Sequence, residues 1–172
     1  MSLQEIINSR LGVSFVLTLG KTIPPKAGSK LGNFLAKKIA GKKDSEMVRA
    51  VRANQWIVSH KNYDKNELDA ATLKTFQHAS YCLYDLYHNL SKPETILQRV
   101  MLSSHLKKLM SEHVGRKEGI VLVTPHLSNF DLAGRAMALH NYSIQVLSYP
   151  KPPGGYQWQN KMRMTHNIEV TP

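Results

Sequence analysis

His126 and Asp131, five positions apart, carry the clearest chemical signal in this chain. A histidine with an ordinary pKa near 6.5 can take a proton from a hydroxyl at neutral pH. A carboxylate bonded to its far nitrogen fixes the tautomer and stabilises the imidazolium that forms. General-base assistance of this kind is worth roughly 10²–10⁴ in rate. On one continuous helix, five residues turn through about 500° and leave the side chains about 140° apart. The two therefore meet only across a corner, which Pro125 and Ser128-Asn129 are suited to make. A helix opening near 128–129 also presents free backbone N–H groups to an anion or a developing oxyanion. Structural readings compete at each position. Ser128-x-x-Asp131 is also a capping pattern, Asn129 is a good cap, and a histidine at a strand end is often structural.

The surrounding pattern must deliver these residues. Residues 120–124, IVLVT, read as a short buried strand with His126 just beyond its carboxyl end. A helix follows over about 129–140, then a strand over 144–148. A Pro/Gly loop, a helix over about 155–166 and a strand over 168–170 complete the run. Strand and helix alternating with short links implies a parallel α/β sheet. Upstream the pattern is helical. Leu3, Ile6, Ile7, Leu11, Phe15 and Leu19 precede a break at Pro24-Pro25, and a helix over 28–43 gathers Leu31, Phe34, Leu35 and Ile39 on one face. Another helix starts near Asp44-Ser45, and a long one follows Asp64, whose partner Glu67 completes a capping box. Pro93 ends that helix, and a further one spans 103–115. The expected fold is α/β: a helical N-terminal region (1–115), then a mostly parallel sheet with flanking helices (116–172). Only three strands are laid down before Pro172. The sheet is therefore expected to be truncated at its C-terminus, as in a fragment or a chain that needs a partner to finish it.

Composition narrows the setting. At 172 residues and 42% hydrophobic content, the chain can bury the core of one domain. No apolar run approaches the ~18 residues of a bilayer span. The best candidate, residues 11–20, also lacks the basic start of a secretory signal. Cys82 stands alone, which excludes a disulfide framework and fits a buried thiol in a reduced compartment. The other histidines show no metal-ligand spacing, so no metal is expected. The net charge of +11 is uneven: residues 1–61 hold 11 Lys/Arg against 3 Asp/Glu. An anionic membrane, an acidic protein or nucleic acid would each suit such a region. In residues 28–43 lysines flank the apolar face, as in a helix lying in lipid headgroups. An amphipathic helix packed on its own domain reads the same way. A non-catalytic basic module for membrane or nucleic acid is thus the alternative to an enzyme. Nucleic acid is disfavoured by the absence of a stacking platform or zinc-finger spacing. An α/β hydrolase would need the G-x-S-x-G elbow, which is missing.

The string His126-Leu-Ser-Asn-Phe-Asp131 resembles the HxxxxD/E motif of the glycerolipid and lysophospholipid acyltransferases. With Asn129, an aromatic at Phe130 and Leu132 after the acid, it is most similar to the lipid A late acyltransferase branch. That branch also takes in the phosphatidylinositol mannoside acyltransferases. The basic N-terminal region, the stretch GIVLVTPH and the Pro-rich loop before the 155–166 helix share the resemblance. It implies an acyltransferase that moves a fatty acyl chain from acyl carrier protein or coenzyme A to a hydroxyl of a membrane glycolipid or lysophospholipid. The acyl thioester is a co-substrate and no other cofactor is implied. His126 would be the base, Asp131 its orienting carboxylate, and Asn129 and Arg163 substrate-binding residues. The implied location is peripheral, on the cytoplasmic face of a bacterial inner membrane, among anionic lipids. Members of this branch carry further strands, so the resemblance also implies the first part of a longer core, possessing the catalytic corner without the whole acyl pocket.

Overall fold

A computed structural model describes residues 18–116, 118–124, 129–150, 154–164 and 167–171. Residues 3–17, together with Pro125, His126 and Ser128, lie outside the described residues. The chain is α/β, dominated by helices and carrying a small parallel sheet. Helical residues 18–22 lead into α1 (Pro25–Ala40), α2 (Glu46–Val58) and α3 (Lys65–Asn89). After these come α4 (Pro93–Arg99), α5 (Ser104–Gly115), α6 (Phe130–Leu139), β1 (Ile144–Leu147), α7 (Gly154–Arg163) and β2 (Ile168–Thr171). Two compact units result, one comprising Gly20–His88 and the other holding the chain from Asn89 onward.

The first unit is a helical layer whose ends are set by local chemistry. Ser45 caps α2, its hydroxyl accepting from the Val48 N–H. The capping box of α3 closes in both directions. Asp64 Oδ1 accepts from the Glu67 N–H at 2.8 Å, and Glu67 Oε2 accepts from the Asp64 N–H at 2.8 Å. Ala36, Val48 and Phe76 form the core, with Ile39, Ala40, Val51 and Leu73 packed against it.

Small residues seat α1 on α3. A Cβ built on Gly28 would run into the Tyr84 ring, and one on Gly32 would fall 2.8 Å from Ser80 Oγ. Gly28, Gly32 and Ala36 recur every four residues, opposite Tyr84, Ser80 and Phe76, so the two helices run antiparallel at close range. Hydrogen bonds from Ser29 and Asn33 to the Tyr81 hydroxyl, each 3.1 Å, hold the same seam. Beyond it, His88 Nδ1 donates to the Gly20 carbonyl at 2.9 Å, and the Tyr84 hydroxyl donates to the Ile23 carbonyl. The carbonyl acceptor requires the proton on Nδ1. Asp69 accepts from Lys43 and pairs with Arg52, joining the α1–α2 link and α2 to α3.

This seating corrects one expectation. The apolar spacing places Leu31, Phe34 and Leu35 with Ile39 on a single face, yet only Ile39 packs on the core. The other three are 39%, 56% and 46% exposed. Glycine carries no hydrophobic signal, so a helix whose inner stripe is Gly-x₃-Gly-x₃-Ala shows its apolar periodicity on the wrong side. Cys82, expected in the core, is half-buried.

In the second unit β1 and β2 pair in parallel, Ile144 opposite Ile168 and Leu147 opposite Thr171. α7 is their crossover, α6 packs beside β1, and α4 packs on α6. Ile96, Leu132 and Ala136 are almost wholly buried there. α4 is short, and Pro93 begins it rather than simply ending α3. Proline at the first helical position loses no hydrogen bond. The expected strand over 120–124 is absent. Those residues make no ladder, and Val121 and Val123 are 89% and 88% exposed. A β-branched run reports fitness for a pleated, half-buried surface, but among the described residues no neighbour supplies one.

Candidate functional site

The site grows from the start of α6. Asn129 precedes that helix in the left-handed region, with φ 57° and ψ 22°. Asparagine tolerates this conformation better than most residues. Its carbonyl accepts the first helical bond from Ala133, while its side chain makes no capping bond. Among the described residues, buried Asn129 Oδ1 takes no hydrogen bond. A shielded amide oxygen without a donor is an acceptor held in reserve.

Asp131 lies in the first turn of α6, where the helix dipole favours a negative charge. Arg163 lies in the last turn of α7, where it favours a positive one. The two meet as a fork: Arg163 Nε donates to Asp131 Oδ1 at 2.7 Å, and Nη2 donates to Oδ2 at 3.2 Å. Their side chains are 18% and 21% exposed. The guanidinium carbon also sits 5.8 Å from the centre of the Phe130 ring, within reach of a cation–π contact.

Asn160 extends this pair toward the sheet. Its Oδ1 accepts from Arg163 Nη1 at 3.1 Å, and its Nδ2 donates to Ser148 Oγ at 2.8 Å. The amide orientation is forced, because a guanidinium can only donate. Ser148 directly follows β1, and its N–H donates to Thr171 O at the end of β2. The chain of bonds Ser148–Asn160–Arg163–Asp131 therefore reaches the carboxyl edge of the sheet, where open α/β sheets place their ligands. An open cleft of about 570 Å³ lies at the opposite edge, between Ser143–Gln145 and Asn167–Glu169. Glu169 is the one carboxylate lining it, and no histidine, cysteine or lysine lines it.

Arg135 stands one turn beyond Asp131 on α6. Burial pushes its guanidinium down from the usual arginine value. It is half-buried, and among the described residues it makes no hydrogen bond or ion pair. Sequence reading passed over Arg135 and Asn160, since neither has a local partner to signal it.

Asp131, Asn129 and Arg163, all singled out from sequence, thus come together around the start of α6. His126 lies outside the described residues. Among the described residues no group of His, Cys, Asp and Glu could hold a metal, and no helix is long and apolar enough to cross a membrane.

A charged fork at the carboxyl edge of a parallel sheet, beside the first turn of a helix, defines an α/β protein with a polar site at its sheet edge. A family model for bacterial lipid A biosynthesis acyltransferases matches residues 3–172, and the chain belongs to that family. It is accordingly an acyltransferase of lipid metabolism. Comparison with curated proteins and with solved structures returned no match.

Proposed function

We propose that this protein transfers a fatty acyl chain from a thioester, acyl carrier protein or acyl-CoA, to a hydroxyl of a membrane glycolipid or lysophospholipid. The observation that carries the reading is the Asp131–Arg163 fork, five residues after His126 and at the dipole-positive start of α6. A carboxylate offers about four lone-pair sites, and Arg163 occupies two. The remaining sites are the ones this mechanism assigns to the imidazole of His126.

In this mechanism His126 removes the acceptor hydroxyl proton as the oxygen attacks the thioester carbonyl carbon. Asp131 balances the imidazolium, and Arg163 fixes Asp131 in the orientation that reaches it. The tetrahedral oxyanion is held by backbone N–H groups at the helix start. Collapse breaks the carbon–sulfur bond, and the departing thiolate takes the proton from His126. Ester and free thiol leave without a covalent acyl-enzyme. Asn129 Oδ1 accepts a hydroxyl of the acceptor, and Arg135 faces an anionic group on it. The site of action is the cytoplasmic surface of a bacterial inner membrane, where anionic lipid attracts the basic chain.

The test is transfer of a labelled acyl group from acyl carrier protein and from acyl-CoA to a panel of lipid hydroxyls. His126→Ala is expected to lower the rate about 10²–10⁴-fold with donor binding retained. Transfer undiminished by that change would remove the histidine from the reaction.

A further inference from the structure

We propose that the outward face of α1 is a docking surface that lies in the plane of an anionic bilayer. The inference deepens the reading above by naming the surface that brings the enzyme to its lipid, and it rests on that reading only for the membrane setting. It starts from the inner face. Gly28, Gly32 and Ala36 are pressed against Tyr84, Ser80 and Phe76. At about 100° per residue, this sets Phe34 diametrically outward, with Leu31 and Leu35 on one flank of it. All three are exposed, on a helix sixteen residues long.

The charges on α1 suit that strip. Lys26, Lys30 and Lys37 fall along its other flank, and Lys38 lies within it, with Nζ 5.7 Å from the centre of the Phe34 ring. Lysines so placed lay their stems along apolar surface and carry the ammonium outward to phosphates. No acidic residue occurs between residues 24 and 43, so nothing on the helix offsets them. A second copy of this chain is a poor occupant, because pairing two such faces would bring eight lysines together. A bilayer with anionic headgroups takes the apolar side chains into its acyl boundary and the lysines at its phosphates simultaneously. The inner stripe explains why the strip is available: Leu31, Phe34 and Leu35 are not needed for α1 to hold its place on α3.

The experiment is vesicle sedimentation of the full chain, with equimolar phosphatidylglycerol and phosphatidylcholine compared with phosphatidylcholine alone. Each exposed lysine near such a surface contributes about a fivefold factor. K26S/K30S/K37S is therefore expected to weaken binding to the anionic vesicles about a hundredfold. K65S/K74S/K107S removes the same charge elsewhere and is expected to weaken it less than tenfold. L31S/F34S/L35S is expected to abolish binding, with thermal unfolding confirming that each variant folds. Phe34→Trp keeps the strip intact and is expected to blue-shift on the anionic vesicles. Equal losses from the two lysine sets, or no blue shift from the tryptophan, would overturn the proposal. So would retention by an acidic soluble protein without retention by the vesicles. The readout needs no catalysis, so vesicle binding without acyl transfer would refute the reaction and leave the surface standing. Transfer to detergent-dispersed lipid without vesicle binding would do the reverse.

Discussion

Replacing Arg163 with methionine isolates the energetics of the site. Methionine retains much of the side chain's apolar length beside Phe130 and deletes the guanidinium donors to Asp131 and Asn160. An exposed ion pair is worth about 0–1 kcal/mol, whereas stripping one partner from a buried pair costs about 3–5 kcal/mol. With Arg163 and Asp131 each about one-fifth exposed, the loss belongs between those limits, at about 2–3 kcal/mol. For a chain of this size that lowers Tm by roughly 5–10 °C. Most of the cost comes from the carboxylate left without the guanidinium. Asp131→Asn should therefore rescue part of it, and the double variant should lose about 1.5–2 kcal/mol less than the sum of the singles. Urea unfolding followed by far-UV circular dichroism gives all four corners of the cycle. Contacts of this kind couple by about 0.5–3 kcal/mol, while independent sites add to within about 0.5 kcal/mol. Additivity within that margin would refute the argument that the fork holds Asp131 in place.

Other consequences follow from the same contacts. Asn160→Ala should slow acyl transfer in the otherwise unaltered chain and have no further effect in an Arg163→Ala background, because Asn160 acts through the guanidinium. Independent losses in a kinetic double-mutant cycle would show that it does something else. Gly28→Ala should destabilise the first unit by about 1–3 kcal/mol by driving a methyl into the Tyr84 ring. Gly134→Ala, where a Cβ meets nothing within 4 Å on α6, should stabilise by about 0.5–1 kcal/mol. Thermal unfolding separates the two, and equal effects would contradict the packing described here. Arg135→Met should raise KM for an anionic acceptor and leave kcat near its starting value, whereas a fall in kcat at unchanged KM would place Arg135 at the reacting atoms instead.

Features governed by neighbouring residues were the legible ones. The Asp64–Glu67 capping box, the start of α2 near Ser45 and the helix after Asn129 depend on contacts within one turn, and each formed where the sequence places it. The crossover joining β1 to β2 followed from alternation of period two with period near four. The failures share a different cause. Residues 120–124 have the composition of a strand but no described neighbour to pair with, and a ladder depends on the partner as much as on the segment. The apolar side of α1 points outward because α3 presents Tyr84 and Ser80 to glycines 28 and 32, a match between residues about fifty positions apart. Asn160 gave no sign at all. Its bonds to Ser148 and Arg163 exist only once α7 lies across the end of β1.

Single-turnover transfer from a labelled acyl thioester to a lipid hydroxyl, comparing the unaltered chain with His126→Ala and Asp131→Asn, decides whether the histidine and the aspartate do the chemistry. With His126 as base and Asp131 as its partner, both substitutions cut the chemical step, histidine by about 10²–10⁴-fold and aspartate by less, with donor affinity unchanged. A chemical step that proceeds at the same rate in all three would contradict those roles.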